Sequence, residues 1–425
     1  MWWLYQALYL LALVASGPLL LLGRGRHYLA TLSGRLGGWR PESGAAVRGG
    51  LWIHAVSVGE VGVASTLARA LPTELPLVVT TITPTGQERA RALFRGRAAI
   101  AYHPFELGFA LRRFLGRFEP GALVLCEGDY WPLALRRARD RGMPVAVVNG
   151  RVSDRTFPRL LRLRPVVRRL MLDRVDWFGV QTGADRERLL ALGVPAARVA
   201  VTGNLKFEAP EPPARPELEA LVGRLAAGRP VLVAGSTMPG EEGAVVEAFA
   251  AAGGGERALL VLAPRHPERF EEVFERLCRR FPDVARRSAE GAAPARPAAL
   301  LLDSLGELAA LYRRAAGAFV GGTLVPTGGH NPIEPARFGI PVAVGPSMEN
   351  FREIAELFDA AGAWARVGDG AGLGRVFAGW LDRPEERAAL GVAAAALVGV
   401  HRGALERTRT GLEPLLAGLP RSLPQ

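Results

Sequence analysis

Twice along this chain, short apolar runs alternate with longer amphipathic stretches, and a proline-rich break separates the two series. In the first series the predicted strands are Leu51–Val58, Pro76–Thr81, Ala98–Tyr102, Ala122–Cys126, Pro144–Asn149, Trp177–Gln181 and Val199–Thr202, with helical patterns between them such as Leu107–Leu115 and Asp185–Leu192. Strands and helices alternating at this spacing predict βαβ units and a parallel sheet. The break, Glu208–Pro216, holds four prolines in nine residues and reads as a stiff linker. The second series has predicted strands at Pro230–Gly235, Ala258–Ala263, Ala298–Asp303, Ala318–Gly321 and Pro341–Val344, and a long helical pattern closes the chain from about Glu385. The expected fold class is α/β: two doubly wound, Rossmann-like domains facing each other across a hinge. Ligands of such sheets sit at the carboxyl ends of the strands.

Before the first series, Met1–Leu22 contains no charged side chain. As a helix it would reach about 33 Å, close to the roughly 30 Å of a bilayer core. Arg24, Arg26 and His27 follow at once, which by the positive-inside tendency keeps the rest of the chain cytoplasmic. Pro18, Gln6 and Ser16 leave a helix lying in the interface as a second form of anchor. The expected partition is a membrane anchor over 1–23, a first α/β domain over 24–207, a linker over 208–218, and a second α/β domain with its closing helix over 219–425.

The formal net charge of +12 raises the question of nucleic acid. Yet 52 of the 53 basic residues are arginine, scattered rather than gathered into a stripe, and asparagine occurs at only four positions. That pattern is a coding bias, and no nucleic-acid partner is expected. The same bias draws attention to the survivors: the single lysine, Lys206, and Asn149, Asn204, Asn331 and Asn350, which all fall in polar stretches after strands or at helix starts. Two cysteines cannot build a disulfide framework. The Rossmann glycine fingerprint, a Walker A loop, an Asp-x-Asp pair and metal-ligating histidine spacings do not occur, so neither a cofactor nor a metal is expected.

The polar residues gather at strand ends. His54–Glu60 follows the first strand; Glu60 reads either as the far half of a capping box begun by Ser57 or as a general base, with the helix N-terminus favouring its ionised form. Glu127-Gly128-Asp129-Tyr130-Trp131-Pro132 follows the fourth strand, and Thr202–Phe207, with Lys206, stands before the break. In the second half, Gly235-Ser236-Thr237 suits a phosphate at a helix start. The planar fork of Arg265, in Pro264-Arg265-His266, suits a phosphate or carboxylate. Asp303–Leu308 reads as a cap and a helix. The Gly-rich Gly328–Pro335 carries Asn331-Pro332-Ile333-Glu334, which could hold a ribose and its phosphate.

These stretches, with Thr81–Gly86, occur in an order that resembles the 3-deoxy-D-manno-oct-2-ulosonic acid (Kdo) transferases, GT-B-type glycosyltransferases of lipopolysaccharide assembly, and the resemblance spans essentially the whole chain. It implies CMP-Kdo as donor, bound through Ser236, Thr237, Pro264, Arg265, His266, Leu305, Gly306, Glu307, Asn331, Pro332, Ile333 and Glu334. It implies a lipid A precursor as acceptor, the inner membrane as location, Glu60 as base, and Asp129 and Lys206 as transition-state stabilisers. Two positions depart from the family's pattern: Glu127-Gly128-Asp129 stands where the family has Glu-Thr-Glu, and Met238 where it often has His. Another GT-B enzyme, such as a UDP-sugar transferase or epimerase, would share the architecture. A non-catalytic membrane scaffold would share the fold and the anchor.

Overall fold

Residues 2–21, 31–38, 48–208 and 212–419 are described by the structure, a computed structural model. Arg24, Arg26 and His27 lie outside them. The chain divides into two compact units, one from the described residues of 1–209 and 401–425, the other from those of 210–400.

The first unit is built on a seven-stranded parallel sheet of β1 (Leu51–His54), β2 (Leu77–Thr81), β3 (Ala99–Tyr102), β4 (Ala122–Cys126), β5 (Val145–Gly150), β6 (Trp177–Val180) and β7 (Val199–Val201). The spatial order is β3-β2-β1-β4-β5-β6-β7. The order reverses between β1 and β4, and a doubly wound sheet opens its ligand crevice at such a switch. Alternation along each strand feeds two cores. In β1, Trp52 packs with Phe114 and Phe178 on one face, while Leu51 and Ile53 pack with Leu67 and Phe94 on the other. With both faces covered, the central strands β1 and β4 are buried throughout and, apart from His54, apolar rather than alternating.

The second unit repeats the plan. Its strands are β8 (Val231–Thr237), β9 (Leu259–Pro264), β10 (Val284–Arg286), β11 (Ala299–Leu301), β12 (Gly317–Val320), β13 (Val342–Val344) and β14 (Ala365–Arg366), in the order β10-β11-β9-β8-β12-β13-β14. All pairings in both sheets are parallel.

Three expectations change. β10 and β14, short strands at the two sheet edges that each contain an arginine, were not anticipated, because an edge strand of two or three residues leaves no apolar run. Within the proline-rich break, Pro216 does not prolong a linker to 218; it opens the helix Pro216–Ala226, where its missing N–H is not needed. The closing helix is two helices, Pro384–Val400 and Ala404–Leu416, interrupted at His401–Gly403. The first stays with the second unit, and the second packs on the first unit through Ala404 and Leu412. By length and composition Pro384–Leu416 is apolar enough to cross a membrane, but its two halves lie in different units.

The N-terminal run is helical over Trp2–Leu21. Polar handles tie it to the first unit: the Tyr5 hydroxyl donates to Glu106 at 2.9 Å and Gly108 N–H donates to Gln6 at 2.8 Å. Glu106 is fully buried and also accepts from Leu133 N–H at 2.6 Å and Ala134 N–H at 2.9 Å, capping the helix Pro132–Asp140.

Candidate functional site

At the β1 end the chain turns through Val56 and Ser57 into the helix Val58–Arg69. Ser57 accepts from Glu60 N–H and donates to Glu60 Oε1 at 3.1 Å, while Val56 N–H donates to Oε2 at 2.9 Å. Glu60 therefore completes a reciprocal cap, with Val56 supplying the backbone donor. It is also buried, and its carboxyl lies beside those of Asp129 and Glu127. Burial, opposed by the Val56 bond and reinforced by those two charges, pushes the Glu60 pKa up to about 8. The donors at the helix start, Val56 N–H and the Ser57 hydroxyl, do favour its ionised form, but burial outweighs them.

The turn is braced from β4. Trp131 Nε1–H donates to His54 Nε2 at 2.9 Å, so the remaining imidazole proton sits on Nδ1, which donates to Thr80 Oγ1 at 2.9 Å. Burial lowers the His54 pKa to about 3, keeping it neutral. His103 packs against both rings, its centroid 4.3 Å from that of His54 and 5.0 Å from that of Trp131.

Asp129 stands at the surface of this cluster, its pKa raised by partial desolvation. Lys206 is engaged with protein: its Nζ lies 2.7 Å from Glu127 Oε1, each side chain about 20% exposed. Asn149 Nδ2 donates to the same Glu127 oxygen at 3.1 Å, and its Oδ1 accepts Leu205 N–H at 2.7 Å; Asn204 Oδ1 accepts Lys206 N–H at 2.9 Å. Both asparagines are fully buried, so two of the four survivors of the composition bias form the frame that aims the single lysine. The sequence points to Glu127 as one of two carboxylates after the fourth strand but not to its pairing with Lys206. Its φ of 64°, rare for a residue with a side chain, turns its carboxylate toward Lys206, a constraint with no linear signal beyond the adjacent Gly128.

In the second unit the named residues form two clusters. At the ends of β8 and β9, Arg265 N–H donates to Thr237 O at 2.9 Å. Ser236 adopts φ 58° where the pairing of the two strands shifts register. Thr237 Oγ1 is buried without a hydrogen-bond partner among the described residues. Close approach demands glycine here: a Cβ on Gly235 would meet the Tyr312 hydroxyl at 2.2 Å, and one on Gly321 would meet Ser236 O at 2.4 Å. Arg265 and His266 hold the His330 pKa down, after burial, while burial raises that of Glu334 against the opposing Asn331, Arg337 and Arg265. Asn331 Oδ1 accepts Ile333 N–H at 3.1 Å, so its side chain also closes the turn into the helix Ile333–Ala336. Glu241, buried, accepts Met238 N–H at 2.8 Å and Gly322 N–H at 2.5 Å, tying the loop after β8 to the loop after β12.

The other cluster lines a cavity of about 720 Å³ walled by Arg287, Ser288, Asp303, Ser304, Leu305 and Glu307 among others. Glu307 is bound by Arg287 Nε at 3.2 Å and by Ser304 Oγ; Asp303 accepts from Arg286 Nε at 2.6 Å and Ser288 N–H at 2.9 Å. Burial alone would raise both carboxyls, but these donors more than offset it, and both pKa values fall below the usual range. Among the described residues no cluster of His, Cys, Asp and Glu could hold a metal ion.

Residues 30–209 match the family model for 3-deoxy-D-manno-octulosonic-acid transferase. Among curated proteins, a 3-deoxy-D-manno-octulosonic acid transferase of Bordetella pertussis is 36% identical over 97% of this chain and 99% of its own length. One of Haemophilus influenzae is 33% identical over 86% of this chain and 87% of its own. Among solved structures, a putative UDP-N-acetylglucosamine 2-epimerase of Listeria monocytogenes covers 89% of this chain and 100% of its own length, with TM-score 0.50 and 17% identity, a likeness of fold alone.

Proposed function

The chain belongs to the 3-deoxy-D-manno-octulosonic acid transferase family, and from that premise we propose that it moves Kdo from CMP-Kdo to a lipid A precursor with inversion, releasing CMP, without metal or cofactor. The observation that carries the reading is the buried Glu60 carboxyl at the strand switch, with its pKa pushed up to about 8. A base works best when its pKa lies near the working pH. Ionised Glu60 takes the proton of the acceptor hydroxyl; the oxygen attacks the anomeric carbon of Kdo as the bond to the CMP phosphate breaks with oxocarbenium character. CMP departs as a phosphate and needs no strong acid. Lys206, held by Glu127, and Asp129 set the charge around the reacting hydroxyl.

The second unit takes the donor. Arg265 and the unpartnered Thr237 hydroxyl suit the phosphate, the Asn331–Glu334 turn suits the ribose, and Leu305 and Glu307, on either side of Gly306 in the chain, line the cavity of this unit. The N-terminal helix anchors the protein to the inner membrane with its α/β units on the cytoplasmic side; Trp2–Ala15 is a short, predominantly apolar stretch, with Gln6 as its polar exception beside the tyrosine hydroxyls.

Mass spectrometry of a lipid A precursor incubated with the protein and CMP-Kdo tests this. The expected product is heavier by one or more Kdo units, formed in the presence of a chelator and inhibited by CMP but not by UDP. No mass gain, or inhibition by UDP instead, overturns it.

A further inference from the structure

The segment Arg155–Leu170 contains six arginines and no acidic residue. It folds as two short helices, Phe157–Arg162 and Arg164–Leu170, and the six residues from Leu161 to Val166 are all exposed. Leu161, Leu163 and Val166 are 43, 57 and 54% exposed, so apolar side chains stand open between Arg159, Arg162, Arg164 and Arg169. Among the described residues only Arg168 of the six has a carboxylate partner, Asp173. Neither the fold nor the catalytic clusters use this surface.

Its surroundings point in the same direction. The segment runs through Met171 into the turn Leu172–Arg174, and Arg174 lies over the Trp2 ring at 5.3 Å. The segment thus ends beside the first turn of the N-terminal helix, which itself exposes Trp3, Leu4, Leu11 and Val14.

We propose that Arg155–Leu170 is a second membrane contact, docking on the anionic headgroup surface of a lipid bilayer beside the N-terminal helix. The proposal deepens the anchor reading above and rests on it. Interleaved arginine and leucine is the chemistry of an interfacial element: the apolar side chains enter the acyl boundary, while the arginines lie along it with their heads at the phosphates. A second copy of the chain is disfavoured by charge, since a self-complementary contact would set six arginines against six. A nucleic acid would leave Leu161, Leu163 and Val166 without a role, and single strands call for exposed aromatic platforms.

The test uses the full-length protein, co-sedimented with vesicles of phosphatidylcholine alone and of an equal mixture with phosphatidylglycerol. The gain on anionic over neutral vesicles reads the arginines of Arg155–Leu170, whereas the neutral-vesicle binding that survives the Ser replacement below reads the N-terminal helix, so the two readings fail separately. Replacing Arg159, Arg162 and Arg164 by Gln is expected to weaken binding to mixed vesicles by about 10²-fold, the effect of three basic residues near an anionic surface, and to leave neutral vesicles unaffected. The triple Lys variant should bind like the parent, and Leu161, Leu163 and Val166 replaced by Ser should weaken binding to both vesicle types. Equal affinity of parent and Gln variant for mixed vesicles overturns the proposal. So does a Ser variant that binds normally but loses self-association by analytical ultracentrifugation.

Discussion

Carboxyl groups in the two units are held in opposite ways. At the β1 end, Glu60 is buried with two other carboxyls nearby, and its pKa is driven up to about 8. In the cavity of the second unit, Glu307 and Asp303 are gripped by Arg287 and Arg286, and their pKa values fall. Burial without an arginine favours the protonated form of a carboxyl, and an arginine with a hydroxyl favours the charged form. Lys206 and Glu127 stand between these cases, an ion pair within the carboxyl cluster of the first unit.

The sharpest way to break this contrast is Glu60→Gln, expected to lower turnover by about 10²–10⁴-fold with donor affinity intact. In the parent, the rate of the chemical step should climb with pH until about 8, as Glu60 ionises. That limb should vanish in the variant; a pH–rate profile on both proteins decides it. A variant with parental turnover would leave Glu60 as the cap alone.

Lys206→Arg sharpens the middle case. The planar fork cannot repeat a point charge at 2.7 Å from Glu127 while lying against Gly59. Turnover should fall by about 10²-fold, the scale of one electrostatic stabiliser. A thermal melt beside the rate assay separates lost chemistry from lost folding.

Arg287→Gln attacks the other side. With Glu307 released from its guanidinium, CMP should bind roughly tenfold more weakly, the scale of one lost charge-assisted hydrogen bond, while kcat changes little. Titration calorimetry with CMP measures the first and saturation kinetics the second. A fall in kcat at unchanged affinity would erase the distinction between the two regions.

The smallest effect concerns stability. The folded state raises the Glu60 pKa above its ordinary 4.5, so the folded protein holds this proton more tightly than the unfolded chain does. The contribution of Glu60 to stability therefore declines as pH rises from about 4.5 to 8, where its buried carboxyl ionises. Relative to Glu60→Gln, the parent should lose melting temperature across that window and no further above it. A constant offset in paired melts would argue against the raised pKa.

Much of this was legible before folding. The apolar runs located every strand of the first sheet, since a strand covered on both faces is apolar along most of its length, while β10 and β14 were too short and polar to register. Glu60, Asp129 and Lys206 drew attention because each sits at a strand end, and the structure sets all three around Glu127 and one another without itself assigning their roles. Their partners were not legible. Glu127 looked like one more carboxylate of a turn until its positive φ and the two buried asparagines placed it against Lys206.

By itself, then, the sequence determined the two parallel sheets, the order of their strand-end motifs and the family, because periodicity and motif spacing are properties of the chain in one dimension. Only the tertiary structure decided that Glu60 is protonated more readily than an ordinary carboxyl, that Lys206 is paired, and that the last helix returns to the first unit. Those outcomes depend on desolvation and on charges brought together from β1, β4, β5 and the turn after β7, and a linear pattern does not record which distant groups exclude water from one another.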